Sequence, residues 1–196
     1  MWPDFALGRN REGNIEKLTL LGPKLGFSVE VVPVYSFSEG EIPIRSSEAR
    51  KELSKGNIKS LNEMLGRRFR LSGMVDPGNH MGTELGFPTA NIKIKDENKL
   101  IPNNGVYIIA SSIDSKTYYG MMNIGKNPTF TDKDQSIEVH FFDLDYDIYD
   151  KTITIKLIKR IRDEKKFNSP ELLREQLELD KDFTFKYLEE NEIEIK

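Results

Sequence analysis

The sequence predicts a mainly β protein, an antiparallel barrel followed by a C-terminal helix and preceded by a small αβ segment. Three observations carry this. From Arg67 onward apolar residues recur with a period of two, as strands with one buried face require. Five or six such runs fall within residues 67–161 with no helical pattern between them, which suits a small barrel better than a sandwich of two long sheets. Beyond them, Ser169-Pro170 opens a helix, with Pro at the first helical position.

Taken in order, Asp4 to Asn14 reads as a loop with turn residues and two arginines, Arg9 and Arg11. Ile15, Leu18, Leu21 and Leu25 form a helical stripe that Pro23 kinks or shortens. Val29, Val31 and Val32 predict a strand closed by Pro33. Ser46 and Ser47 cap a short helix from Glu48 to Leu53, and Ile58, Leu61 and Leu65 mark another that stops at Gly66. A single strand with helices is too little for a self-sufficient parallel sheet. Then come the strands. Phe69, Leu71 and Gly73 alternate with Arg70 and Ser72, and a strand starts after Pro88. A long β-branched run spans 105–113, and the polar turn at 114–116 joins it to a strand over 118–124. Strands over 136–142 and 152–161 flank the acidic stretch 143–150. In the final helix Leu172, Leu173, Leu177 and Leu179 are expected to face the barrel.

The length of 196 residues allows one large domain or two small ones. With 37% hydrophobic and 31% charged residues the chain has the composition of a globular protein. No apolar run approaches the ~18 residues of a membrane span, and the N-terminus lacks the basic flank and apolar core of a signal peptide. There is no cysteine, hence no disulfide framework, and a cytoplasmic location is expected. Only His80 and His140 are available for a histidine-based zinc site, which makes one improbable. The net charge of −3 argues against a broad nucleic-acid surface, so phosphate binding has to be local.

The candidate chemistry centres on residues 85–92, Leu-Gly-Phe-Pro-Thr-Ala-Asn-Ile. Pro88 fixes its own φ and pushes Phe87 towards an extended conformation, so Thr89 and Asn91 lie two apart on one face of a strand. Their hydroxyl and amide oxygens are hard ligands that suit Mg²⁺ completed by substrate phosphates, or they simply satisfy backbone groups at a loop–strand junction. Gly78, Gly82 and Gly86 either cradle phosphates or form a structural loop. No Gly-Lys-Ser/Thr follows them and no βαβ unit surrounds them, which excludes a P-loop and a dinucleotide fingerprint. On the strand 136–141, Ile137, Val139 and Phe141 take one face and Ser136, Glu138 and His140 the other. Glu138 there is a general base for a hydroxyl nucleophile or part of a solvated face, and His140 is structural. After the last strand, Arg162 and Lys165 offer charge for a phosphate or a polar ring edge and Phe167 an apolar surface for a planar ligand, unless the loop is merely solvated.

Together these segments resemble the riboflavin kinase domain of bacterial bifunctional riboflavin kinase/FAD synthetases. The matching stretches are 65–67 (Leu-Gly-Arg), 85–91, 104–107 (Asn-Gly-Val-Tyr), 122–125 (Met-Asn-Ile-Gly), 127–130 (Asn-Pro-Thr-Phe), 137–140 and 162–167. The resemblance implies a six-stranded, Greek-key-like antiparallel barrel over 67–196 that transfers the ATP γ-phosphoryl group to the riboflavin 5′-hydroxyl, giving FMN. It implies ATP contacts from Gly78, Gly82, Gly86, Pro88, Thr89, Asn91 and Tyr149, the last near the adenine. It also implies Mg²⁺ at Thr89 and Asn91, Glu138 as base, and flavin contacts from Arg162, Lys165 and Phe167. Thr83 departs from the pattern, since many members carry arginine there. Residues 1–66 resemble the C-terminal part of an FMN adenylyltransferase-like module, with an imperfect Ser-Ser-Thr-x-Ile-Arg signature at 44–50 and no His-x-Gly-His element. The expectations are therefore that this chain alone does not make FAD and that apolar residues such as Trp2, Phe5 and Val31 are exposed and promote self-association. The alternatives are a non-catalytic flavin-binding module and a fragment that still makes FAD from FMN.

Overall fold

The structure is a computed structural model that describes residues 6–31, 45–77, 85–126 and 135–193. The chain forms two compact units, 1–48 and 49–196.

In the first unit, β1 (Ala6–Leu7) pairs antiparallel with β2 (Gly13–Asn14) around a 3-10 turn at Arg9–Arg11, where a plain loop was expected. The Asn14 side chain accepts from the Lys17 backbone N–H at 3.0 Å and so caps α1 (Ile15–Leu25). Pro23 does not break α1, which runs through it and ends two residues later at Leu25, with Gly26 as its left-handed cap. The strand expected at Val29 to Val32 is not present over the described residues: Val29 and Val31 are irregular, and Val32 and Pro33 lie outside them. A β-branched run needs a partner for its backbone groups, and among the described residues the sheet in this unit consists of β1 and β2. Leu20, Leu25, Phe27 and Val31 are exposed, while Trp2 and Phe5 lie outside the described residues.

α2 (Ser46–Lys55) starts earlier than expected, so Ser46 and Ser47 belong to its first turn. α3 (Ile58–Leu65) ends at Gly66 as expected. Leu53, Ile58 and Leu61 are buried in the same cluster as the barrel interior. Asn62 ties α3 down by donating to the Leu157 carbonyl at 2.9 Å and accepting from the Phe69 N–H at 2.7 Å.

The barrel comprises β3 (Arg70–Pro77), β4 (Ala90–Lys93), β5 (Gly105–Ile113), β6 (Lys116–Lys126), β7 (Gln135–Phe141) and β8 (Thr152–Arg162). All pairs are antiparallel and the order β3-β4-β7-β6-β5-β8 closes on itself, leaving no open edge. The predicted class is the observed one. Alternate residues fill the interior, among them Leu71, Val75, Tyr107, Ile109, Met122, Val139, Ile155 and Leu157. Asp114 and Ser115, both at positive φ (47° and 68°), make the two-residue hairpin between β5 and β6.

The barrel also has an apolar outer patch. Val106, Ile108, Ala110, Tyr119, Met121 and Ile158 point outward and pack with Leu188, Leu177 and Phe185 of α4 (Pro170–Glu190). Ser169 caps α4, accepting from the Leu172 N–H at 3.4 Å. Leu172 and Leu179 do not face the barrel; they are 48% and 62% exposed. The helical repeat explains this, because Leu173, Leu177, Asp180, Thr184 and Leu188 share one stripe at 3.6 residues per turn, and Leu172 and Leu179 lie off it.

Candidate active site

Three neighbouring strands place three polar side chains in a row. Asn91 on β4 is paired with Glu138 on β7, and Glu138 with Asn123 on β6. Since Val139 and Met122 fill the interior, the alternate residues Glu138 and Asn123 take the outer face. Burial pushes the Glu138 carboxyl above its usual range, because desolvation penalises the charged form.

His140, two residues along β7, fixes the approach to β4. Its ring lies 5.2 Å from the Phe87 ring and 5.5 Å from that of Phe142, both edge-on. Its Nδ1 is 2.9 Å from the Pro88 carbonyl oxygen. A carbonyl only accepts, so Nδ1 carries the proton and the neutral ring keeps Nε2 as an acceptor. Burial pushes the imidazole below its usual value, the Pro88 bond opposes this, and Lys181 adds to the downward push. Just upstream, Gly86 turns the chain at φ 82°, which a residue with a side chain adopts only under strain. Phe87 is buried. Thr89 is thereby held at a defined position.

Two clefts meet there. The first, of about 270 Å³, is lined by Thr89, Asn123, Glu138 and His140 on the barrel side. Arg162, Lys165 and Phe167 beyond β8 and Leu173 and Leu177 of α4 also line it. The second, of about 300 Å³, is lined by Pro88, Thr89, Phe141, Tyr146 and Tyr149. Thr89 lines both.

The structure thus brings Thr89, Glu138, Arg162, Lys165 and Phe167 into one cleft and Pro88, Thr89 and Tyr149 into the other. Asn91 adjoins Glu138 in the sheet but lines neither cleft. Gly86 sits at the turn before them, whereas Gly78, Gly82 and Thr83 lie outside the described residues. Phe167 is flanked by the Arg162 guanidinium at 5.8 Å and the Lys165 ammonium at 5.5 Å. Arg162 is not a free cation, because its Nε and Nη2 form a bidentate pair with the two carboxylate oxygens of the buried Asp180 of α4.

Sequence reasoning missed the cleft roles of Asn123, Glu164, Leu173 and Leu177, and the partner Asp180. Asn123 was legible in the alternation of β6. Asp180 was legible as the one carboxylate on a helix stripe of otherwise uncharged residues. Glu164 carried no pattern: it accepts from Asn104 at 3.1 Å, and Asn104 in turn accepts from Gln135 at 2.9 Å. The Glu164 carboxylate lies against the Cα of Gly125, in space that a Cβ there would share.

The donors beside Thr89 are all oxygens, a hydroxyl at Thr89, an amide at Asn91 and a carboxylate at Glu138, and this set fits Mg²⁺. Among the described residues no group of three or more His, Cys, Asp or Glu is placed to hold a metal, so the described side chains alone do not form an all-protein cage.

Comparisons with known proteins converge on this region. The family model described as Flavokinase: Riboflavin kinase matches residues 65–188. A bifunctional riboflavin kinase/FMN adenylyltransferase of Buchnera aphidicola subsp. Acyrthosiphon pisum (strain APS) is 41% identical over 181 residues, 90% of this chain and 56% of the relative. The protein of that description from Bacillus subtilis (strain 168) is 35% identical, over 94% of this chain and 58% of its own length. The chain therefore spans under three-fifths of these relatives. A Streptococcus pneumoniae crystal structure described as a macrolide-efflux protein is 32% identical with a TM-score of 0.80, covering 93% of this chain and 58% of that one. Among the described residues no helix is long and apolar enough to cross a membrane. The matched stretch contains both clefts, and the chain belongs to the riboflavin kinase family.

Proposed function

We propose that this chain is an ATP- and Mg²⁺-dependent riboflavin kinase that converts riboflavin to FMN. One observation carries the reading: Thr89 is the shared wall of two clefts, with Glu138 beside it in one of them. Phosphoryl transfer asks a protein mainly to align two substrates, neutralise charge and place a base near the attacking oxygen. The cleft at Tyr149 takes the nucleotide, on the side to which Pro88 and Thr89 belong. The cleft at Phe167 takes the flavin ring, with Arg162 and Lys165 at its polar edge. Thr89 and Asn91 offer oxygens for the Mg²⁺ that accompanies ATP, and that ion supplies neutralisation of the phosphate charge. Glu138 orients the ribityl hydroxyl and accepts its proton; its raised pKa makes it a stronger base than an ordinary carboxylate.

Residues 1–66 are proposed to be the C-terminal part of an adenylyltransferase-like module. With only His80 and His140 in the sequence there is no His-x-Gly-His anion site, and adenylyl transfer is proposed to be absent from this chain. A cytoplasmic location follows the same reading.

The test is the purified chain with riboflavin, ATP and Mg²⁺, the flavins being separated after reaction. FMN is expected. Riboflavin binding without FMN would make the chain a flavin-binding module, and FAD from FMN plus ATP would overturn the absence of adenylyl transfer.

A further inference from the structure

Asp180 lies on the buried stripe of α4, and its side chain is 2% exposed. It accepts from Arg162 Nε at 3.0 Å and from Arg162 Nη2 at 2.7 Å. Gln176, one turn earlier, donates to the same carboxylate at 3.0 Å. The Thr184 hydroxyl donates to the Asp180 carbonyl at 2.7 Å, binding the next turn of the helix to it. Arg162 Nη1 donates to the Asp163 carbonyl at 3.0 Å, where the chain leaves β8 for the loop that carries Lys165 and Phe167.

A guanidinium has five N–H donors in a fixed plane. Three are taken by Asp180 and Asp163, so two remain on the terminal nitrogens of a side chain that lines the first cleft. Stability alone gives little reason for such a pair, since buried ion pairs roughly break even against apolar residues of similar volume. What the pair does give is direction. The bidentate contact fixes the plane of the guanidinium, and with it the ring of Phe167 5.8 Å away. It also cancels the Arg162 charge. A neutralised donor edge suits an uncharged heteroaromatic ring with carbonyl and imine acceptors better than it suits a phosphate.

We infer that Asp180 is a positioning residue for the flavin subsite, holding Arg162 so that its free N–H edge meets the acceptor edge of an uncharged planar ring. The inference rests on the riboflavin kinase reading and deepens it. Asp180 touches no substrate itself; it acts through Arg162.

Two variants of the full chain test it, with riboflavin Kd from fluorescence quenching, kcat and ATP KM from FMN formation, and Tm. In Asp180→Asn the carboxylate is lost at constant size. Riboflavin Kd is expected to rise about tenfold, the scale of one charge-assisted hydrogen bond, with kcat and ATP KM little changed. In the double variant Arg162→Met with Asp180→Leu no unpaired charge is left in the helix, and Tm is expected to stay near that of the unmodified chain while riboflavin Kd remains raised. Unmodified riboflavin affinity in either folded variant would make the pair purely structural and overturn the inference. Failure of the unmodified chain to bind riboflavin would overturn the kinase reading instead.

Discussion

Glu138 and His140 sit two residues apart on one strand face, and burial drives them in opposite directions: the carboxyl upward, the imidazole downward. Both shifts favour the neutral form, but they act differently on stability. A carboxyl raised above its ordinary value of 4.5 binds its proton more tightly folded than unfolded. Its contribution is full below the unfolded value and is lost as pH rises through the folded one. Glu138→Gln is therefore expected to raise Tm near neutral pH, a gain that vanishes by about pH 4, while lowering kcat by about 10²–10⁴-fold with riboflavin binding largely kept. Unchanged turnover would remove the assigned base. The imidazole lowered below 6.5 contributes stability above that value and loses it as pH falls towards its folded pKa. In His140→Asn the stability slope below about pH 6.5 is expected to flatten, and differential scanning fluorimetry across pH reads it.

At the scale of the element, β4 and its approach are the most constrained part of the site. Pro88 is held through its carbonyl by His140, and Gly86 makes the turn before it. A Cβ at Gly86 would meet no atom within 4 Å, so only the backbone conformation resists a side chain there. Gly86→Ala is expected to cost about 1–2 kcal/mol, read as a lower Tm, or to relax the turn and raise KM for both substrates. Thr89→Ala deletes the hydroxyl shared by the two clefts, and loss of turnover together with weaker ATP binding is expected; no effect would leave Thr89 structural. Most of this was legible in the sequence, because period-two alternation exposes which residues share a face. The alternation placed Glu138 with His140, and the two line one cleft; it also placed Thr89 with Asn91, but β4 begins only at Ala90, and Asn91 lines neither cleft that Thr89 does. What the alternation does not encode is what covers a face. Leucines at 172 and 179 look like core residues in composition, yet only the phase of the whole stripe through Thr184 and Leu188 shows that they point away. The register shifts between β5 and β8, and the pairing of Arg162 with a carboxylate 18 residues later, are likewise tertiary facts without a local pattern.

For the whole molecule, the clefts and the supports of the barrel have different reach along the chain. Every residue lining the two clefts falls within 85–177, and the family model begins at residue 65. The compact unit that contains them begins earlier, at residue 49, because Leu53, Ile58 and Leu61 are 4%, 1% and 2% exposed in the barrel's own hydrophobic cluster. Burying a side chain of that size is worth about 1.5–3 kcal/mol. Asn62 adds hydrogen bonds to Leu157 and Phe69 that no later residue replaces. A chain starting at residue 46 is therefore expected to fold and to make FMN with kcat and KM close to those of the longer chain. One starting at residue 67 loses α2 and α3, and its Tm should fall by on the order of 10 °C. Comparing the two by thermal unfolding and by FMN formation separates the boundary of the fold from the boundary of the chemistry. Equal stability of the two chains would show that α2 and α3 are dispensable to the barrel.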